Sequence, residues 1–298
     1  MRKLCAILLC LALLAGLGAC GTVTQHDPPE PPDIPAVEDK LCQEITVMSF
    51  NVLTQKTGEH GVAKRKNGVL QTILRESPDS VGLQEAHGQW RSFLRRELKE
   101  NYAMACAKGR YAGIGEGVPI LYRKDKYELV EEDVFWLSEH PRIPSRGWDA
   151  PLRPRVAGYA VLKDKETGFI YVHFNAHFDN RGEIARINSA RMIADRINEM
   201  GLPSVFTGDL NTFSFPEDLL LQYLAAGGLQ NLREVSPAAD TGSTHLDYGD
   251  GALVLDHIYA NHYLRLPGTA QFRVIRDEYD GQYPSDHFAV TATFTLAN

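Results

Sequence analysis

Two hydrophobic rhythms organise the chain after about residue 44. Residues 45–51 form a nearly continuous apolar run, the pattern of a strand covered on both faces. Segments 80–84, 120–123, 168–174, 204–206 and 253–259 read as further short strands. The last segment, 288–296, alternates cleanly. Phe288, Val290, Ala292, Phe294 and Leu296 fall on one face, with Ala289 and three threonines on the other. Helical spacing appears over 69–74 and 90–98. The clearest helix is 183–200, where Ile184, Ile187, Ala190, Ile193, Ala194 and Ile197 make one stripe and Arg186, Arg191 and Arg196 lie off it. Gly201 stops that helix and Pro203 follows. Mixed strands with few long helices predict an α/β fold of two stacked mixed β-sheets with helices outside.

The N-terminal segment follows neither rhythm. Arg2 and Lys3 precede an apolar stretch, 4–17, that is short for a bilayer span and has the length of a signal-peptide core. It closes on Leu17-Gly18-Ala19-Cys20, which resembles the lipobox of bacterial lipoproteins, where the cysteine carries the lipid. A lipoprotein-type leader over 1–20 is expected, with a plain secretory signal as the alternative. Residues 21–43 include Asp27-Pro28-Pro29-Glu30-Pro31-Pro32 and read as an extended linker. The folded domain is then 44–298, with no internal repeat. The expectation is an exported, membrane-anchored, monomeric protein held by a lipid on Cys20.

Export changes the reading of the cysteines. Cys5 and Cys10 leave with the leader, so Cys42 and Cys106 remain. An oxidising compartment permits a bridge between them, and two buried free thiols are the alternative. Composition, 44% hydrophobic and 23% charged, is that of a globular protein with a sizeable core. The formal charge is −7, and −9 once Arg2 and Lys3 are gone. Binding a long nucleic-acid backbone calls for a basic surface, so this balance disfavours a nucleic-acid partner without excluding one. The basic clusters are Lys64-Arg65-Lys66 and Arg91, Arg95, Arg96 and Lys99, expected as solvated helix faces.

Candidate chemistry collects where apolar strands end. Asn51 and Glu85 close the first two strands, His177 and Asp179 follow the fourth, and Asp209 and Asn211 follow the fifth. Asp256 and His257 lie in the next, and Asp286 and His287 open the last. Singly, such residues commonly start turns. Together they predict a convergent pocket of carboxylates, carboxamides and imidazoles. Oxygen-rich ligands suit Mg²⁺ or Mn²⁺, and no clustered Cys/His set for structural zinc is present.

Six ordered motifs resemble the endonuclease/exonuclease/phosphatase superfamily over about residues 45–297. They are Ser49-Phe50-Asn51, Leu83-Gln84-Glu85, Asn175-Ala176-His177-Phe178-Asp179, Thr207-Gly208-Asp209-Leu210-Asn211, Leu255-Asp256-His257-Ile258 and Ser285-Asp286-His287. The resemblance implies a four-layered sandwich and in-line attack of water on phosphorus with Mg²⁺ assistance. It implies that Glu85 is the principal metal ligand, with Asn51 and Asp286 helping to hold the ion or its waters. Asp209 would orient or deprotonate the water, Asn211 bind a phosphate oxygen, His177 stabilise phosphoryl charge, and His287 act beside the phosphate with Asp256 orienting it. His257 departs from an aromatic position of the superfamily, either as a simple ring replacement or as a second titrating group. Asp179 is expected to pin its loop.

Trp136, Trp148 and Arg155 are candidates for lining the substrate cleft, Arg155 on a second phosphate; core packing is the alternative for the tryptophans. The substrate expected is a compact or lipid-linked phosphoester. A secreted nuclease is the second reading, and a catalytically silent binding module the third.

Overall fold

The structure is a computed structural model that describes residues 42–55, 57–107, 117–212, 218–246, 253–265 and 267–297. The expected leader, Cys20 and the linker up to residue 41 lie outside the described residues.

The first strand, β1 (Cys42–Asn51), shows how the sequence builds the layers. Ile45 and Val47 point into the core between two sheets, while Met48 and Phe50 point the other way, onto helices. Burial of both faces explains the unbroken apolar run. β1 starts two residues before the expected domain boundary, and Cys42 and Gln43 pair with Ala297 and Leu296. Helix α1 (Val62–Glu76) crosses over to β2 (Ser80–Gln84), which lies parallel to β1. Next come α2 (Gly88–Glu97), β3 (Tyr102–Ala105) and β4 (Ile120–Arg123). The second sheet opens with β5 (Tyr127–Trp136), β6 (Val156–Asp164) and β7 (Ile170–His177). Helix α3 (Glu183–Met200) leads to β8 (Ser204–Asp209), parallel to β7. After α4 (Leu219–Ala226), β9 (Gln230–Asn231) and α5 (Leu232–Val235) comes β10 (Asp256–Ala260), antiparallel to β8. The chain closes with β11 (Leu264–Arg265), β12 (Gln271–Ile275) and β13 (Ala289–Ala297).

Sheet order is β11-β13-β1-β2-β4-β3, with β12 also on β13, and β5-β6-β7-β8-β10-β9. Both sheets are mixed. Apolar side chains from both fill the space between them. Helices α1 and α2 cover the outer face of the first sheet, and α3 and α4 that of the second. This is the expected four-layered α/β sandwich.

The inter-sheet core is interrupted by a buried polar seam. Gln84 Nε2 donates to Asn175 Oδ1 (2.7 Å) and Ser49 Oγ (3.1 Å). His173 lies 2.7 Å from Ser80 Oγ and 2.8 Å from Thr207 Oγ1. The sheets approach closely here because residue 82 is glycine. A Cβ on Gly82 would lie 2.6 Å from Asn175 Oδ1 and closer still to Thr207 Oγ1.

Several expectations need correction. Cys42 and Cys106 are not bridged. β1 and β3 are three strand spacings apart, about 14 Å, and the buried Cys106 thiol donates to the Tyr159 carbonyl at 3.2 Å. Ile184 is 54% exposed, and the buried face of α3 is Ala185, Ser189, Ala190, Ile193, Ala194 and Ile197. Arg65 is not on a solvated face but fully buried. Its guanidinium donates to the carbonyls of His60 (2.6 Å), Val52 (2.9 Å), Pro284 (2.6 Å) and Leu53 (3.0 Å).

Candidate active site

The parallel pairs β1–β2 and β7–β8 end on one edge of the sandwich, and that edge is where the polar residues gather. Asn51 ends β1, Glu85 follows β2, His177 ends β7 and Asp209 ends β8. Asp256 faces Asp209 across the β8–β10 ladder. Glu85, Arg155, His177, Asp179, Asp209, Asn211, Asp286 and His287 line one cleft of about 370 Å³.

Asp209 is the point of convergence. Its Oδ2 accepts from Asn51 Nδ2 (2.9 Å), with His177 Nε2 at 3.4 Å and His287 Nε2 at 3.7 Å. Its Oδ1 accepts from the Asn211 N–H at 3.0 Å. Burial opposes the charge on Asp209, but the two imidazoles and the Asn51 amide outweigh it and hold the carboxyl below its usual range. Asp256, wholly buried, takes His287 Nδ1 at 2.8 Å. Burial disfavours the imidazolium of His287. Asp256 on one side and Asp209 on the other overcome this, and its pKa is pushed up to about 10.

The loops carrying these groups are held in unusual backbone. Leu53, Glu85 and Asn211 all have positive φ, at 55°, 58° and 48°. Three non-glycine residues in the left-handed region around one cleft are backbone strain of the kind that collects at functional sites. Arg65 and Trp90 fix the first of these loops: the Trp90 Nε1–H and Arg65 both donate to the Leu53 carbonyl. One residue on, the Thr54 N–H donates to Glu85 Oε2 at 2.6 Å.

The residues expected to hold a metal are placed as follows. Glu85 and Asp286 both reach the cleft, and among the described residues no lysine or arginine pairs with either. Two carboxylates presenting hard oxygens to one cleft fit a divalent cation such as Mg²⁺. Asn51 sits between the carboxylates. Its Oδ1 accepts from the Leu53 N–H (3.0 Å), and its Nδ2 faces Asp209 and Glu85, so it ties two carboxylates together.

Asn211 donates Nδ2 to the Phe178 carbonyl (3.0 Å) at the cleft edge. Asp179 pins its loop as expected, accepting from the Arg181 and Gly182 N–H groups, with Arg155 Nε 3.8 Å away. His257 faces away from Asp256, towards Tyr259. Burial lowers its pKa to about 4, so it is a neutral ring in the outer layer. Trp136 is core. Trp148 is not brought to this cleft and lines a second cavity between β5 and α3.

Sequence reasoning misses His245. Its ring meets that of His287 edge-on, with centroids 4.6 Å apart, and its backbone bridges residue 287. Ligating atoms of His245, Asp286 and His287 lie within 4.8 Å of one another. The preceding Thr244 Oγ1 accepts the N–H groups of Leu255 and Asp256, which fixes the carboxylate behind His287. The only sequence signal was one more histidine eleven residues before Asp256, in a turn-rich stretch.

Comparison with solved structures identifies relatives of the fold. An endonuclease/exonuclease/phosphatase family protein from Bacteroides thetaiotaomicron is 27% identical, with a TM-score of 0.76 over 87% of this chain and 97% of that one. The mannosyl-6-phosphatase Bt3783 of Bacteroides thetaiotaomicron VPI-5482 is 29% identical, with a TM-score of 0.74 over 83% and 98%. The human Nocturnin catalytic domain shares the fold at 19% identity, with a TM-score of 0.64 over 86% and 94%. No functionally curated protein matches the chain. The sequence profile of the Endonuclease/Exonuclease/phosphatase family matches residues 48–287, and the chain therefore belongs to that family of phosphoester hydrolases.

Proposed function

We propose that this chain is a Mg²⁺-dependent phosphoric ester hydrolase acting on a compact substrate, with a phosphorylated sugar as the first candidate. The observation that carries the reading is the convergence of Asn51, His177 and His287, from three different parts of the chain, on one oxygen of Asp209. The similarity to a mannosyl-6-phosphatase supports the sugar, and the acidic balance of the chain supports a small substrate over a long polyanion.

Glu85 and Asp286 would hold Mg²⁺, or Mn²⁺ in its place, and the ion when bound supplies positive charge against the phosphoryl oxygens and the leaving oxygen. Asp209, held ionised, is a poor proton sink, so its part is to orient the attacking water. His177 and His287 present N–H donors to the phosphoryl oxygens, where charge grows in the transition state. Asp256 keeps His287 protonated and fixes its ring. Asn211 and Arg155 border the space left for the substrate. Cys20 remains our proposed lipid site, placing the enzyme outside the cytoplasm on a membrane.

The test is an assay of the purified protein with Mg²⁺ against sugar phosphates, inositol phosphates, nucleotides, sphingomyelin and plasmid DNA. Turnover of a small phosphoester, abolished by EDTA, is expected. Full activity in EDTA, or faster cleavage of DNA at physiological salt than of every small ester, overturns the reading.

A further inference from the structure

The cavity that receives Trp148 is about as large as the catalytic cleft, about 370 Å³, and lies between β5 and α3. The turn that presents Trp148 is built for that purpose. Residue 147 must be glycine, because a Cβ there would run into the Leu137 carbonyl. Trp148 itself takes φ 46°, in the left-handed region that bulky residues avoid. Its N–H donates to Glu139 Oε2 at 3.1 Å. Asp149 locks the turn onto α3 by accepting the Ala185 N–H at 2.7 Å. Such strain is usually offset by burial, yet the indole is only half buried and borders the cavity. A strained backbone that leaves an aromatic face accessible points to a ligand.

We propose that this cavity binds neutral sugar units of a phosphorylated oligosaccharide whose phosphate end occupies the catalytic cleft. The link to catalysis rests on the hydrolase reading above. Three guanidinium and three carboxylate groups line the cavity, so its formal charge balances. That balance disfavours an anion such as a second phosphate. A purely apolar ligand would press hydrocarbon against those charged groups and exclude water from them. A pyranose fits both features. Its C–H face packs on Trp148, and its hydroxyls alternate donors and acceptors to Asn188, Asp195, Arg196 and Glu199.

The two cavities are also neighbours. Trp148 lines one and Leu152 the other, four residues apart along the chain, which spans at most about 14 Å. A di- or trisaccharide covers that length. A nucleobase would also stack on an indole, and the experiment separates it from a sugar.

The experiment is isothermal titration of the full chain in EDTA, where no turnover interferes, with an unphosphorylated mannose disaccharide and, separately, with adenosine. Saturable binding of the disaccharide is expected. Trp148→Gly, which suits the left-handed backbone, and Asn188→Ala, on an established helix, should each weaken it by at least about tenfold. No disaccharide binding at millimolar concentration, unchanged binding in both variants, or tighter binding of adenosine overturns the proposal. Because the readout is binding without metal, a protein that binds the sugar but hydrolyses nothing removes the hydrolase reading and leaves this site standing.

Discussion

Asp256 and His287 meet at 2.8 Å, and both are buried. If Asp256 acts by keeping that imidazole charged and oriented, its effect must pass through His287. Asp256→Asn and His287→Ala should each lower the hydrolysis rate by about 10²–10⁴-fold, and the double variant should be little worse than His287→Ala alone. Additive losses in kcat/KM would show that Asp256 has a separate task.

Two other buried imidazoles predict a different pH response. Burial lowers the pKa of His173 to about 3 and that of His257 to about 4. Both stay neutral in the folded state, while the unfolded chain takes up protons below about pH 6.5. Stability is therefore full above that pH and falls as pH drops toward 3–4. At pH 5 each histidine should cost about 2 kcal/mol. Urea unfolding at pH 7 and pH 5 measures the loss, and His257→Phe, which keeps a ring, should remove its share. An unchanged midpoint in wild type would refute this assignment.

Residues named from the sequence reach the cleft because each sits at a strand end, and strand ends on one sheet edge are neighbours in space. His245 and Arg65 follow no such rule. Their partners come from segments remote in sequence, and no local pattern encodes those contacts.

Among the elements, α1 does more than cover its sheet. Arg65 is the point where its inner face grips the loop after β1 and the residue before Ser285-Asp286-His287. Lysine keeps the charge but lacks the planar fork that reaches several carbonyls at once. Arg65→Lys and Arg65→Met should each destabilise the protein by about 3 kcal/mol or more, since several buried carbonyls lose their donor. The Mg²⁺ concentration needed for half activity should also rise, because the same loop supplies the Thr54 N–H to Glu85. A Lys variant within about 1 kcal/mol of wild type and with an unchanged Mg²⁺ requirement would show that the clamp is dispensable.

Elements with strong periodicity were legible. The 183–200 helix and the 80–84 and 120–123 strands lie where the pattern puts them. β5 escaped because it is an edge strand rich in Glu and Asp, with a bulge between Leu129 and Glu131 that breaks the alternation. β6 escaped because Ala and Gly, weak strand formers, interrupt its valines. Ile184 misled the helix stripe because it points to solvent, while its neighbour Ala185 starts the buried face.

For the molecule as a whole, the polar seam between the sheets sets their register. Gln84, Asn175, His173 and Thr207 find partners in one alignment only, with Gly82 allowing the close approach. At this scale belongs the prediction for the N-terminal segment. Cys20→Ala should move the protein from the membrane fraction to the soluble one while leaving hydrolysis intact. A wild-type protein recovered wholly soluble with an unmodified N-terminus would dispose of the lipid.

The pairing of β1 with β13 sets the direction in which such an anchored enzyme would look. Cys42, the first described residue, lies beside Ala297, while Asn51 and the cleft stand at the other end of the same strand. Nine residue steps of strand separate them, about 30 Å. If the proposed lipid on Cys20 is present, the tether would pull on the pole opposite the cleft, and the mouth would open toward diffusing solutes rather than toward a bilayer.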